Sequence, residues 1–237
     1  MAAETSGPGT VLAVQHTPGG GPGRFGDWLR EAGRDVHVLR PYDGEALPDS
    51  LDGRALLVLG GGYLPDDDER APWLPSTRRL TREALASGTP FLGICLGGQL
   101  LAQVAGGTVR ARHGRPEYGS TPITLRPEAG WDALLHGLGE TVPAIERHVD
   151  AITELPPGAA WLASSEACPH QAFRIGDRAW GVQFHPEADA DRIAGWDSAG
   201  LAALGVDRDA LHARALAAEP AAIAAWSVVA GRFAGMC

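Results

Sequence analysis

Two short segments of the chain carry residue types that could do covalent chemistry. The first runs from Phe91 through Gly93, Cys95 and Gly97, so that a cysteine stands between two glycines after an apolar run. This G-x-nucleophile-x-G spacing is typical of a nucleophile elbow, a tight strand-to-helix turn that exposes the nucleophile. The N–H groups at the start of the next helix would favour thiolate over thiol, and that of Leu96 could donate to an oxyanion. Cys95 is therefore a candidate nucleophile, although a buried structural cysteine fits the same segment.

The second segment, Phe184 to Glu187, offers a base and a partner for it. Pro186 restricts His185 to extended backbone, and residues two apart in an extended chain point the same way. Glu187 can therefore accept a hydrogen bond from Nδ1 of His185 and leave Nε2 for Cys95. The two segments together predict a triad of cysteine, histidine and carboxylate.

The composition removes several competing chemistries. The 237 residues include no lysine and no asparagine, and the formal net charge is −9. Without lysine there is no phosphate-loop lysine and no Schiff base, and without asparagine there is no papain-like orienting residue or N-glycosylation acceptor. The negative charge argues against nucleic acid or an anionic membrane as a partner. No uninterrupted apolar run approaches the ~20 residues of a membrane span. Three well-separated cysteines and a start without signal-peptide character favour a cytoplasmic protein.

The elements that must position these residues follow an alternating pattern over the first hundred residues. Short apolar runs predict strands and periodic segments predict helices, which indicates a parallel sheet with right-handed crossovers. Strands are predicted at 11–15, 35–40, 55–59 and 91–94, and helices at 24–32, 73–87 and 97–105. After residue 107 the pattern changes to strands and turns, at 121–125, 142–147, 160–164, 171–175 and 179–184.

From residue 190 onward the sequence is alanine-rich and helical. Pro220 suits the first turn of the last helix, whose apolar face would include Ile223, Trp226, Val229 or Ala230, and Phe233. We expect a disordered leader at 1–10, one α/β domain at 11–188 and a helical extension at 189–237 packed on the same domain.

The motifs resemble those of the class I, triad-type glutamine amidotransferases. GICLGGQ at 93–99, FHPE at 184–187 and LGGG at 59–62 stand in the family's order and spacing. Further segments are similar to the stand-alone GMP-synthase-like branch: PWL at 72–74, PEYG at 116–119, HVD at 148–150, LPPGA at 155–159 and CPHQAF at 168–173. The resemblance implies an open, mostly parallel sheet flanked by helices in a flavodoxin-like three-layer arrangement, with extra antiparallel strands. It also implies that Cys95 is the nucleophile, His185 the acid and base, and Glu187 its orienter.

The resemblance implies a substrate site as well. The oxyanion hole would consist of the N–H groups of Leu96 and Gly61. Gln99 would contact the α-amino end of glutamine, and the backbone near Arg147, His148 and Val149 would hold its carboxylate. The chain departs from the family's usual pattern at three places. Gly62 and Tyr63 replace a proline, Val149 replaces a glycine, and His170 replaces an asparagine.

The expected reaction is hydrolysis of the side-chain amide of L-glutamine to glutamate and ammonia through a cysteinyl thioester, without a cofactor or a metal. The acidic run at 66–69 is expected to be a solvated loop. Only 50 residues follow Glu187 in the sequence, too few for a synthetase domain, so a separate synthase polypeptide would receive the ammonia. Two alternatives stay open: a γ-glutamyl peptidase or hydrolase acting on γ-glutamyl conjugates, and a non-catalytic regulatory subunit with the same fold.

Overall fold

The computed structural model describes residues 9–237. Its eleven strands are β1 (Thr10–Val14), β2 (Asp35–Leu39), β3 (Ala55–Val58), β4 (Phe91–Ile94), β5 (Thr108–Arg110), β6 (Glu117–Leu125), β7 (Thr141–His148), β8 (Ala151–Glu154), β9 (Ala160–Ser164), β10 (Ala172–Ile175) and β11 (Ala179–Val182). The α-helices are α1 (Gly23–Glu31), α2 (Leu74–Ser87), α3 (Leu96–Val104), α4 (Asp191–Ala194), α5 (Ser198–Ala203) and α6 (Arg208–Ala234). The predicted leader at 1–10 lies outside the described residues except for its last two, and Thr10 already begins β1.

Nine of these strands form one mixed sheet in the order β2-β1-β3-β4-β11-β10-β9-β6-β7. The first five strands in this order, from β2 to β11, are parallel to one another. The remaining four pairs, β11-β10, β10-β9, β9-β6 and β6-β7, are antiparallel. Every residue of β1, β3, β4 and β11 is buried, as expected for strands covered on both faces. The predicted fold class, a mostly parallel sheet flanked by helices with extra antiparallel strands, is confirmed. Two short strands, β5 and β8, were not predicted and pair with each other in a separate sheet.

Helices cover both faces of the large sheet and enclose two apolar cores. One core, on the side of α1 and α6, includes Phe25, Trp180, Phe184, Trp226 and Phe233. The rings of Phe184 and Trp226 lie 4.7 Å apart. The other core, on the side of α2 and α3, includes Leu56, Phe91 and Leu100. Because burying one such side chain contributes about 1.5–3 kcal/mol, the two cores fix β4 and β11, the strands that lead to Cys95 and His185.

The last helix differs from its prediction. It begins at Arg208, where the side chain of Asp207 caps it by accepting from the N–H groups of Asp209 and Ala210, and Pro220 lies inside it. The cap at Asp207 is a stronger signal for the start of the helix than Pro220. Proline removes one backbone donor, but packing on both sides of Pro220 maintains the helix. Ile223 is 43% exposed, contrary to the predicted apolar face. The other members of that face, Trp226, Val229, Ala230 and Phe233, are buried as predicted.

By length and composition, α6 is long and apolar enough to cross a membrane. The sequence prediction considered only uninterrupted apolar runs and did not identify it. We interpret α6 as a packing helix, because Trp226 and Phe233 are buried in the core beside α1 and the indole Nε1 of Trp226 donates to the carbonyl of Pro143 at 2.9 Å. Glu219, in its middle, forms an ion pair with Arg24 of α1.

Candidate active site

Cys95 stands at the tip of a strained turn between β4 and α3. Its backbone adopts φ 51° and ψ −107°, a combination that residues other than glycine rarely adopt. The N–H of Cys95 donates to the carbonyl of Val182 at 2.7 Å. A Cβ at Gly93 would lie 2.3 Å from the carbonyl of Gly97, and a Cβ at Gly97 would lie 2.0 Å from the carbonyl of Val58. Only glycine therefore fits at both positions, and the thiol is held at the start of a helix.

His185 and Glu187 follow β11 at the same edge of the sheet. The N–H of His185 donates to the carbonyl of Ile145 in β7 at 2.8 Å, which fixes the backbone of the histidine. Nδ1 of His185 donates to Oε1 of Glu187 at 2.7 Å. The contact was predicted, but the extended backbone expected for it is wrong, because Pro186 and Glu187 form a turn in which the N–H of Ala188 donates to the carbonyl of His185 at 3.3 Å. Since Nδ1 is used in this way, Nε2 is the ring atom left for Cys95.

The electrostatics of this pair favour its charged form. Burial by itself would lower the pKa of His185, but the charges of Glu187 and Cys95 and hydrogen bonds to both raise it well above its ordinary value. Burial by itself would raise the pKa of Glu187, but His185 and then Arg192 hold it below its usual range. The result is a buried imidazolium–carboxylate pair beside the Cys95 side chain.

A cavity of about 400 Å³ opens above these side chains. The predicted site residues Cys95, His185, Glu187, Gly61 and Arg147 line it. The guanidinium of Arg147 stacks over the ring of Trp196, another lining residue, at 4.9 Å. Leu96 is the first residue of α3, so its N–H lacks an intrahelical acceptor and emerges next to Cys95. The cavity therefore brings a cysteine thiol, an imidazole and the guanidinium groups of two arginines, Arg147 and Arg192, around one space.

Three predicted substrate-binding residues do not line this cavity. Gln99 is buried, and its Nε2 donates to Oε1 of Gln183 at 3.1 Å and to the carbonyl of Asp150 at 3.3 Å. His148 is also buried, and its Nδ1 donates to the same carbonyl of Asp150 at 3.0 Å. Val149 is 37% exposed and lies outside the lining. Their contact with a substrate stays a prediction. In this geometry Gln99 and His148 both support the backbone at Asp150.

Sequence reasoning missed several residues of the site. Nε2 of Gln183 donates to Sγ of Cys95 at 3.6 Å, a contact that its position two residues before His185 could have suggested. Gly60 adjoins the pair closely, because a Cβ there would lie 2.8 Å from Cε1 of His185. Arg192 donates from Nη1 to Oε1 of Glu187 at 3.2 Å. No local pattern in the sequence marks Arg192.

One further cluster has the residue types of a metal site. Donor atoms of Glu117, His148 and Cys168 lie within 4.8 Å of one another. However, Glu117 already accepts hydrogen bonds from Ser165 at 2.6 Å and Gln171 at 2.8 Å. Burial raises the pKa of Cys168 to about 12, so its thiol keeps its proton. We interpret the cluster as a buried hydrogen-bond network that stabilises the end of β7.

The acidic run at 66–69 is partly neutralised by arginines. Asp68 accepts two hydrogen bonds from Arg78, each at 2.7 Å, and Asp67 accepts one from Arg70 at 2.7 Å. Arg78 holds the pKa of Asp68 below its usual range. The acidic run at 66–69 is therefore a loop in which Asp67 and Asp68 form ion pairs with nearby arginines.

The fold and the site define an α/β protein with a cysteine at the tip of a nucleophile elbow and a histidine–carboxylate pair at the same sheet edge. The model of the family "Glutamine amidotransferase class-I" matches residues 27–193. The chain belongs to this family.

Known relatives agree with this assignment. The chain is 42% identical over 149 residues to a glutamine-hydrolyzing GMP synthase of Porphyromonas gingivalis, a match that covers 62% of the chain and 27% of that protein. It is 43% identical over 155 residues to one subunit of a glutamine-hydrolyzing GMP synthase of Sulfurisphaera tokodaii, covering 65% of the chain and 72% of that polypeptide. A crystal structure of a glutamine amidotransferase from Thermotoga maritima superposes with a TM-score of 0.85 at 27% identity, covering 95% of this chain and 97% of that one. The match thus spans about a quarter of the long GMP synthase, and most of the shorter polypeptide from Sulfurisphaera tokodaii.

Proposed function

We propose that this protein hydrolyses the side-chain amide of L-glutamine to glutamate and ammonia through a thioester on Cys95. The observation that carries the proposal is the contact between Nδ1 of His185 and Oε1 of Glu187 at 2.7 Å, beside Cys95 in one cavity. This contact directs the remaining ring nitrogen towards the thiol, as a histidine base requires.

In the first half of the reaction, the Cys95 thiolate attacks the amide carbon and the carbonyl oxygen becomes an oxyanion. We assign its stabilisation to the N–H groups of Leu96 and Gly61, and one such donor contributes about 2.7–4 kcal/mol. His185 then gives its proton to the departing nitrogen, the C–N bond breaks, and ammonia leaves a γ-glutamyl thioester behind.

In the second half, His185 takes a proton from water as the hydroxide oxygen attacks the thioester carbon. The C–S bond breaks, glutamate is released, and the Cys95–His185 pair returns to its starting protonation state. Glu187 stays ionised throughout and holds the imidazole in one orientation. No residue of the described chain is assigned to a cofactor in this scheme.

The substrate's α-amino and α-carboxylate groups need partners at the other end of the cavity. We assign these roles first to Arg147, which lines the cavity. Gln99, His148 and Val149 lie outside the lining, and they would reach the substrate only through a shift of the backbone around Asp150, to which Gln99 and His148 are hydrogen-bonded. The ammonia would pass to a separate synthase polypeptide, by analogy with the relative from Sulfurisphaera tokodaii, which is itself one subunit of a GMP synthase. We propose a cytoplasmic setting, in keeping with three free cysteines.

The test is ammonia release from L-glutamine by wild type, Cys95→Ala and Cys168→Ala. Both cysteines are buried, but only Cys95 lines the cavity. We expect Cys95→Ala to abolish release and Cys168→Ala to retain it. Equal rates in wild type and Cys95→Ala would contradict the proposal.

A γ-glutamyl peptidase or hydrolase is the second candidate. The observation that favours it is the size of the cavity, about 400 Å³, which leaves room for a substituent on the amide nitrogen. Turnover of free glutamine and of γ-glutamyl conjugates by the same preparation separates the two functions. A non-catalytic subunit would show neither activity, and its Cys95 would not react with iodoacetamide at neutral pH.

A further inference from the structure

The backbone that follows His185 is held from both sides by groups distant in sequence. Nε of Arg24 donates to the carbonyl of Pro186 at 3.1 Å, and the N–H of Arg24 donates to the carbonyl of Glu187 at 3.2 Å. On the other side, Oε2 of Glu219 accepts from the N–H of Ala190 at 2.7 Å. Arg24 and Glu219 are themselves an ion pair, with side chains only 12% and 21% exposed. The Arg24–Glu219 ion pair therefore holds the backbone of residues 186–190 between α1 and α6.

A second set of hydrogen bonds holds the carboxylate of Glu187 itself. Oε1 of Glu187 accepts from both Nδ1 of His185 at 2.7 Å and Nη1 of Arg192 at 3.2 Å. Nη2 of Arg192 donates to the carbonyl of Gly19, in a loop that lines the cavity. Arg192 thus joins the orienting carboxylate to the rim of the active site.

The carboxylate depends on these two donors for its orientation. Its other oxygen, Oε2, is buried and has no hydrogen-bond partner among the described residues. Without Arg192, only the bond from His185 would oppose rotation of the carboxylate. A misplacement of about 1 Å at a catalytic group can cost about 10²-fold in rate.

We propose that Arg192 is a positioning residue for the His185–Glu187 pair, and that the Arg24–Glu219 ion pair is a second positioning device that holds the backbone of the same segment. Neither touches the reacting atoms. Exposed ion pairs contribute little, but this network is largely buried and each arginine donates to at least two acceptors. The inference rests on the glutaminase function proposed above.

The first test compares Arg192→Gln with Arg192→Lys, and uses Arg214→Gln on the exposed surface of α6 as a matched control. We expect Arg192→Gln to lower kcat about 10- to 100-fold and to change KM less than threefold. The acid limb of the pH profile should move to higher pH, because the Glu187 carboxylate loses a neighbouring positive charge. His185 faces Glu187 and Cys95, and the buried Glu146 interacts with it as well. Because these groups are unchanged in the variant, the movement reports the loss of Arg192.

Arg192→Lys keeps the charge but not the two-pronged geometry of the guanidinium. We expect it to restore the position of the acid limb and only part of kcat. The control Arg214→Gln should behave like wild type in all three measurements. Unchanged kcat and unchanged pH profile in Arg192→Gln would overturn the proposal, as would an effect confined to KM.

The second test is a double-mutant cycle on Arg24→Gln and Glu219→Gln, with kcat as the readout. We expect each single change to lower kcat and the double change to cost little more than either, because the two side chains act as one unit. Full additivity would overturn this part. Far-UV circular dichroism of each variant confirms that the fold is retained, and the conservative Arg192→Lys carries the test if Arg192→Gln does not fold.

The rate of Cys95 alkylation by iodoacetamide separates failure of this inference from failure of the proposed function. It reports the Cys95–His185 pair without any substrate. If wild type releases no ammonia from glutamine but Arg192→Gln slows alkylation, the substrate assignment fails and the positioning role stands. If neither turnover nor alkylation changes in Arg192→Gln, the positioning role fails.

Discussion

His16, which follows β1 beside the active site, should make the fold sensitive to acid. Its imidazole is fully buried, and Nδ1 accepts a hydrogen bond from the indole Nε1 of Trp73 at 2.9 Å. Nε2 has no partner among the residues that the structure describes. Burial lowers the pKa of His16 from 6.5 to about 4, because a charged ring here would be removed from water.

The sign and size of the effect follow from proton binding. The unfolded chain takes up a proton at this histidine near pH 6.5, whereas the folded chain takes it up near pH 4. Folding is therefore penalised as the pH falls through this window, and the penalty is fully developed below pH 4. Since one pKa unit is worth about 1.4 kcal/mol, the loss in the free energy of unfolding at pH 4 is about 3 kcal/mol.

Urea unfolding of wild type and His16→Asn at pH 7 and pH 4 measures this loss. The asparagine oxygen can accept from Trp73 in place of Nδ1, and the side chain does not titrate. We expect wild type to lose about 3 kcal/mol more than the variant between the two pH values. Half-exposed His37 provides the control, and His37→Asn should lose as much as wild type. Carboxylates such as Glu187 titrate equally in all three proteins and cancel. Equal losses in wild type and His16→Asn would refute the argument.

Three further changes test the site and its supports. Glu187→Gln should keep the fold and lower kcat about 10²- to 10⁴-fold, because His185 loses its carboxylate acceptor. The control is Glu166→Gln, at an exposed glutamate. If Glu187→Gln is as active as this control, another group orients the imidazole. Gly97→Ala should lower the free energy of unfolding by about 1–3 kcal/mol, because its Cβ would lie 2.0 Å from the carbonyl of Val58. The control is Gly231→Ala in α6, where an added Cβ would meet nothing within 4 Å, and it should raise the free energy of unfolding by about 0.5–1 kcal/mol. If Gly97→Ala and Gly231→Ala have equal effects in urea denaturation, the steric account of Gly97 is contradicted. Glu146 is buried, and burial and then Glu117 raise its pKa well above the ordinary value, so this carboxyl should contribute a loss of stability as the pH rises above about 4.5, opposite in sign to the contribution of His16. Glu146→Gln should remove that loss between pH 5 and pH 8 in the same assay, and an unchanged slope would show that Glu146 does not carry it.

The parallel half of the sheet and the catalytic contact could be predicted because their signals are local. β1, β3 and β4 are uninterrupted apolar runs, and the Gly93–Gly97 spacing specifies a turn that only glycines tolerate. The contact between His185 and Glu187 was predicted from their spacing of two residues, but the backbone that makes it is a turn and not extended chain, since the N–H of Ala188 donates to the carbonyl of His185 at 3.3 Å. β5 and β8 were missed because they are only three and four residues long and partly exposed, so they show no clear alternation. The start of α6 was misplaced because Pro220 was interpreted as a first-turn proline and the cap at Asp207 was not identified.

The residues that hold the site lie where no local pattern could reveal them. The family model ends at residue 193, yet Glu219 of α6 bonds both to Arg24 and to the N–H of Ala190, close to the catalytic pair. Arg24 and Glu219 are 195 positions apart in sequence, and each would pass as an ordinary charge on a helix surface. His16 likewise precedes the matched region and packs against the glycine run of the cavity, where its Cβ lies 2.9 Å from the position of a Cβ at Gly61. The matched region thus contains the three residues proposed to react, while residues from both flanks of the chain contact the segment that carries two of them. Because positioning alone can change a rate by about 10²-fold, two chains that share the triad motifs can differ widely in turnover through these flanking contacts.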